Sequence, residues 1–257
     1  MENISTILVP FDFSESANQA LEYTVDYIGD SKIKIVLVHI APDPNSVKDE
    51  GFKVLNEKYA RNLKIPMEWL VSKNSLAETI VEIQNNKKAD LVIMGTSGSK
   101  NKIGTTNTAE LVLATDCPVI VVPKNIENFS IKNISLVLGV NEIEDTSVLA
   151  TLLNVTKRFN AKVHVLTVQN EPGTYGYSKA DEKNENALMY YLEDFYAEHT
   201  FIENQDILEG IFSYVDSHSI DMIAVMPRNH TSKSAPSKGL LTKELTMRSA
   251  VPVLALD

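Results

Sequence analysis

The chain is written twice. "ENISTILVPFDF" at the start is echoed by "KNISLVLGVNEI" from Lys132, so Asn3-Ile4-Ser5 recurs as Asn133-Ile134-Ser135. "KIKIVLVHI" (32–40) is echoed by "AKVHVLTV" (161–168), and "ETIVEIQNNKKADLVIMGT" by "EGIFSYVDSHSIDMIAVMP". In that last pair Glu78 matches Glu209 and Asp90 matches Asp221 at one common offset. "CPVIVVPK" closes the first half as "VPVLALD" closes the second. Matched segments in a single order are the mark of an internal duplication, and each half must then bury its own core. The polar connector "PKNIENFSIK" (123–132) is the joint, which sets the expected domains at 1–124 and 132–257. A chain of 257 residues with 44% hydrophobic content supplies two such cores.

Within each half, short apolar runs alternate with segments of helical period. The first-half strands are expected at Ser5–Pro10, Ile33–Ile40, Met67–Val71, Leu91–Gly95 and Val119–Val122. They are rich in Val and Ile with little polar alternation, as parallel strands covered on both faces are. "SESANQALEYTVDYIG" reads as a helix capped by Ser14, with Ala17, Ala20, Leu21, Val25 and Ile28 on one face and a stop at Gly29. Ser75 and Glu78 have the spacing of a capping box. In the second half strands are expected near 134–140, 162–168, 199–203, 221–226 and 252–256. In the tyrosine-rich segment 169–198, Leu188, Tyr191, Leu192 and Phe195 form an apolar stripe behind a loop at 172–179. Right-handed strand-helix-strand crossovers then give two doubly wound, five-stranded parallel α/β domains in tandem.

Ligands of such sheets sit outside the carboxyl ends of the strands, at the topological switch point. The first half places "PFDFS" (10–14), His39-Ile40 and "GTSG" (95–98) there. The turn after the first strand has no glycine, which excludes a conventional dinucleotide fingerprint. No Walker A motif, zinc-type His/Cys spacing or G-x-S-x-G elbow occurs, so no catalytic or metal residues are assigned. His39 and His164 read as repeat-equivalent structural histidines inside the second strand of each half. Gly95 and Gly98 permit close backbone approach to a ligand, and Thr105, Thr106, Asn107 and Thr108 crowd a helix start suited to an anion. The same residues also suit a plain turn and cap, and both readings stand on residue chemistry alone.

The bulk properties narrow the partners. A net charge of −10 and a pI near 5.0 oppose general nucleic-acid binding. One cysteine, Cys117, allows no intrachain disulfide and reads as a packing residue. The N-terminus lacks a basic, signal-like region, and no apolar run approaches the ~18 residues of a membrane span. The expectation is a soluble, cytoplasmic protein.

"VPFDFSES", "MGTSG" and "GTTNTAELVLATDCPVIVVP" together resemble the universal stress protein family, and the layout of both halves resembles its tandem members. The resemblance implies an adenine nucleotide, ATP or AMP, with magnesium accompanying ATP, and hydrolysis that is slow at most. Carried over, the site falls on Pro10, Asp12, Ile40, Met94, Gly95, Gly98, Thr105, Thr106 and Asn107. Asp12 and Ile40 would meet the adenine end, and the glycine loop with the following threonines the ribose and phosphates. The interval from Gly98 to the Thr105-Thr106 pair is shorter than the family pattern, with Lys100 and Lys102 inside it. In the second half Val140, Asn141 or Glu142 stands where Asp12 does, and "MPRNH" replaces the glycine pair, so this half is expected not to bind nucleotide that way. The resemblance also implies an intramolecular pseudo-dimer of the halves through their last strands, with further homo-oligomers open. The alternative is a stress adaptor that binds no nucleotide and acts through protein contacts.

Overall fold

The computed structural model describes residues 4–87, 89–96, 107–126, 128–139, 141–143, 145–170, 177–227 and 239–256. By internal contacts the chain separates into two compact units. One comprises Glu2–Phe129 with Thr246–Ala250, and the other Ser130–Leu245 with Val251–Asp257.

The first unit runs β1 (Thr6–Pro10), α1 (Glu15–Ile28), β2 (Lys34–Ile40), α2 (Glu50–Tyr59), β3 (Glu68–Ser72), α3 (Leu76–Lys87), β4 (Leu91–Thr96), α4 (Asn107–Ala114) and β5 (Val119–Pro123). Its strands pair in parallel in the order β3-β2-β1-β4-β5. Ile7, Leu8, Ile35, Leu37, Leu91 and Ile93 are fully buried, and adjacent residues point to opposite faces of a strand. Both faces of this sheet are therefore core. Helix α1 buries the predicted Ala17, Ala20, Leu21, Val25 and Ile28. Ser14 Oγ accepts from Ala17 N, and the helix stops at Gly29, whose φ of 51° is cheap only for glycine. The capping box of α3 is present: Glu78 N donates to Ser75 Oγ (3.3 Å), while Ser75 N donates to Glu78 Oε2 (3.0 Å). Cys117 is buried, as a packing residue should be.

The second unit repeats this order as β6 (Asn133–Leu138), α5 (Leu149–Phe159), β7 (Lys162–Gln169), α6 (Lys179–Leu192), β8 (Tyr196–Glu203), α7 (Ile207–Ser217), β9 (Met222–Val225), α8 (Leu240–Arg248, which belongs to this unit up to Leu245) and β10 (Val253–Ala255). Its strands pair in parallel in the corresponding order, β8-β7-β6-β9-β10. Strand β8 starts earlier than the apolar run implies, because Ala197 and Glu198 are exposed and carry no hydrophobic signal. The apolar stripe on α6 is narrower than expected. Leu188 and Leu192 are buried, but Tyr191 is 39% exposed and its hydroxyl accepts from Thr146 Oγ1, and Phe195 lies beyond the helix. The loop ahead of α6 falls largely outside the described residues.

The register of the repeat differs from the apparent echo. Asp90 Oδ2 accepts from Ser5 N (2.7 Å) and Thr6 N (2.9 Å), and Asp221 Oδ2 accepts from Lys132 N (2.7 Å) and Asn133 N (2.9 Å). Thr6 therefore corresponds to Asn133, which sets aside the alignment of the two Asn-Ile-Ser triplets. Thr6 pairs with Lys34 and Asn133 with Lys162, so His39 corresponds to Thr167 and His164 to Val36. The two histidines are not equivalent. A short identical triplet weighs less than a ladder of hydrogen bonds, because a slip of one residue would turn a strand's apolar set outward.

Candidate functional site

Beyond the carboxyl ends of β1, β2 and β4 the first unit holds a cleft of about 620 Å³. Pro10, Phe11 and Asp12 enter it from the end of β1, Val38 and Ile40 from β2, and Met94, Gly95 and Thr96 from β4. The starts of three helices complete it: Ser14, Ser16 and Ala17 of α1, Ser75, Leu76 and Ala77 of α3, and Thr108 and Glu110 of α4. A helix start leaves its first amides without intrahelical acceptors and carries partial positive charge. Among the described residues, Asp12 and Glu110 are the carboxylates that line the space.

Each wall has a local cause. Asp12 is exposed, and its Oδ1 accepts from Ser14 N at 3.0 Å, an Asx turn that feeds the chain into α1. Phe13 between them has a φ of 63°, a left-handed conformation that costs a bulky residue about 1–3 kcal/mol. His39 Nδ1 lies 2.7 Å from Phe11 O. A carbonyl only accepts, so Nδ1 carries the proton and the ring fixes the strand end ahead of Asp12. This is the structural role expected of His39.

Ile40 contributes backbone. Phe11 N donates to Val38 O and Ala41 N to Ser72 O, each at 2.8 Å. Alternation along a parallel ladder then turns the N–H and C=O of Ile40 toward β1, where the chain has already left the sheet. That edge can serve a flat heterocycle that both donates and accepts.

Gly95 has a different reason from the one expected. A Cβ there would lie 2.0 Å from the carbonyl oxygen of Ser16, so the bare position admits the backbone of α1. Packing demands this glycine, whatever approaches from the cleft. Pro10, Asp12, Ile40, Met94 and Gly95 thus share one space. Gly98, Thr105 and Thr106, with Lys100 and Lys102, lie outside the described residues, and Asn107 opens α4. Sequence reasoning had not placed Ser16, Ser75, Ala77 or Glu110 at the site. The capping box marked the start of α3, but only the sheet order brings that start to the cleft. The segment 41–51 adds no lining residue to the cleft, and its Gly51 lies against Phe13.

The corresponding end of the second unit is built for itself. Carrying the Thr6–Asn133 equivalence forward puts Gly139 where Asp12 stands, in place of the expected 140–142. The turn after β6 is tied to α6: Asn184 Oδ1 accepts from Ile143 N (2.8 Å) and its Nδ2 donates to Asn141 O (3.0 Å). Lys183 pairs with Glu142 at 2.8 Å. Thr167, at the place of His39, bonds His199 Nε2 at 3.0 Å. Burial holds the His199 imidazole below its ordinary pKa, with the charges of Glu185 and Asp181 opposing that shift. The segment after β9, residues 228–238, lies outside the described residues.

These features define a class: doubly wound α/β units, one of them with an open cleft at its switch point. Residues 3–123, within the first unit, match the universal stress protein family model. The fold is shared with a universal stress protein from Archaeoglobus fulgidus, at 18% identity, a TM-score of 0.67 and 97% coverage of each chain. It is also shared with a functionally unknown Pseudomonas aeruginosa protein, at 17% identity, a TM-score of 0.65 and coverage of 98% of this chain and 92% of that one. The cytoplasmic domain of a prokaryotic cation chloride cotransporter has the same fold at 9% identity, with a TM-score of 0.60 and coverage of 99% of this chain and 95% of that one. No curated protein matches the sequence. Among the described residues no helix is long and apolar enough to cross a membrane.

Proposed function

We propose that the first unit binds an adenine nucleotide, ATP or AMP, as a sensed ligand in adaptation to stress. The reading rests on one observation: Asp12, the outward backbone edge of Ile40 and the first turn of α4 meet in one cleft. Asp12 Oδ1 is engaged by Ser14 N, which orients the carboxylate and leaves its second oxygen to accept from an amine or hydroxyl. The space between Pro10, Ile40 and Met94 takes the purine. The phosphates extend toward the end of β4 and the start of α4, where backbone amides and helix polarity favour anions. Magnesium enters with ATP through its phosphates. No group in this reading abstracts a proton from water, so turnover is slow at most. The first unit acts within a cytoplasmic chain, alone or as part of a larger homo-oligomer.

A second reading, a protein-binding stress adaptor without nucleotide, is favoured by Glu110, whose position among the cleft residues opposes a second anion. Calorimetry with ATP at about 1 mM separates the two. Nucleotide binding predicts heat in the wild type and a loss of roughly 10-fold to 100-fold in affinity for Asp12→Ala. No heat from the folded wild type sinks the nucleotide reading and leaves the adaptor.

A further inference from the structure

Helix α2 lines no part of the cleft, yet it holds the residue between Asp12 and Ser14. The Phe13 ring packs 5.0 Å from Phe11, 5.0 Å from Phe52 and 5.8 Å from His39, centroid to centroid. Under it lies Gly51 in the first turn of α2. A Cβ there would sit 2.9 Å from Cε1 and Cζ of Phe13, so a side chain at this position would push the ring, which is 44% exposed, out of its present seat. Phe52 is completely buried and stacks on Trp69 at 5.5 Å and 6°. Trp69 Nε1 donates to Asp49 Oδ1 at 3.0 Å. Asp49 precedes α2 but makes no side-chain cap bond, because its carboxylate serves the indole instead. One aromatic column thus runs from β3 through the start of α2 to the Asp12–Ser14 turn.

We propose that α2 is a clamp that sets the ligand-facing Asp12–Ser14 turn through Phe13, so that seating of α2 and occupancy of the cleft are coupled. The clamp needs no particular ligand; naming the ligand an adenine nucleotide rests on the function proposed above. With α2 seated, the column holds Phe13 at its positive φ, and Asp12 and Ser14 both face the cleft. With α2 displaced, Phe13 loses Phe52 and keeps only Phe11 and His39, and relaxation of its left-handed backbone rotates both neighbours. A ligand that engages Asp12 binds the seated form better and so draws α2 into place. Trp69 is the only tryptophan of the chain and sits in the column, so its emission reports the seating.

Phe13 is a positioning residue, and a double-mutant cycle on the full chain tests it. The readout without ligand is hydrogen exchange at the Ser14 amide, which donates to Asp12. Gly51→Val speeds that exchange roughly tenfold in the wild-type background. In a Phe13→Gly background, where glycine keeps the turn unaided, Gly51→Val leaves it unchanged. Should Gly51→Val not fold, Phe52→Leu, which removes the ring but keeps an apolar side chain, takes its place in the same cycle. Equal exchange at Ser14 with and without the α2 substitution, or an equal effect in both backgrounds, overturns the clamp. ATP supplies the ligand arm: Trp69 emission shifts at saturation, and Gly51→Val weakens binding about tenfold only where Phe13 is present. A coupled cycle in a protein that takes no ATP keeps the clamp and removes the nucleotide. A flat cycle in a protein that binds ATP does the reverse.

Discussion

Gly95 carries two meanings that only packing tells apart. In the sequence it belongs to a glycine loop after a strand, and such glycines commonly admit a ligand. In the fold its missing side chain is filled by the Ser16 carbonyl, 2.0 Å from where a Cβ would stand. Gly95→Ala is therefore expected to destabilise the first unit by about 1–3 kcal/mol without any ligand, measured by urea unfolding. A glycine kept only for ligand approach would lose affinity and no stability. His39 was legible as structural because it sits inside an apolar strand. That it is not equivalent to His164 was hidden, because the letters around each histidine match without sharing a register. Phe13 was unreadable, since nothing in "PFDFS" announces a positive φ at a phenylalanine.

Helix starts proved the most legible elements. Ser14, and Ser75 with Glu78, announce their caps by residue type and spacing, and both caps form. Ser75→Ala should cost about 1 kcal/mol of stability, read by chemical denaturation. Hydrogen bonds from Ser75 hold the Glu78 carboxyl below its ordinary value of 4.5. The folded state thus binds this proton less readily than the unfolded chain does. The contribution is complete above pH 4.5 and is lost as pH falls through the lower folded value. In Ser75→Ala the Glu78 resonance should titrate closer to 4.5 by NMR, and an unmoved midpoint would contradict the assignment. Strand β8 runs the other way in legibility: its exposed start hid it from an apolar pattern. Burial holds the pKa of His199 on that strand below its ordinary value of 6.5, so acidification through 6.5 should lower the thermal midpoint, less so in His199→Gln.

At the scale of the molecule, the duplication made fold class and element order readable, because strand-helix alternation repeats wherever chemistry does not. The cleft was only half readable: residues far apart in sequence meet there through the order β2-β1-β4, which no single segment encodes. The two units differ where their strands end. Gly139 replaces Asp12, and Asn184 ties down the turn that follows. Titration with ATP should therefore give one nucleotide per chain, and Asp12→Ala should weaken that single site. A stoichiometry of two would contradict the assignment of the site to the first unit. The amino ends of the strands tell the opposite story. Asp90 and Asp221 each gather the two amides at the start of their unit's first strand, and they lie at the end of the sheet away from the carboxyl-end turns. What closes each fold is thus kept apart from what recognises a ligand. After a gene duplicates, one copy can lose its chemistry by drift while its architecture is inherited whole.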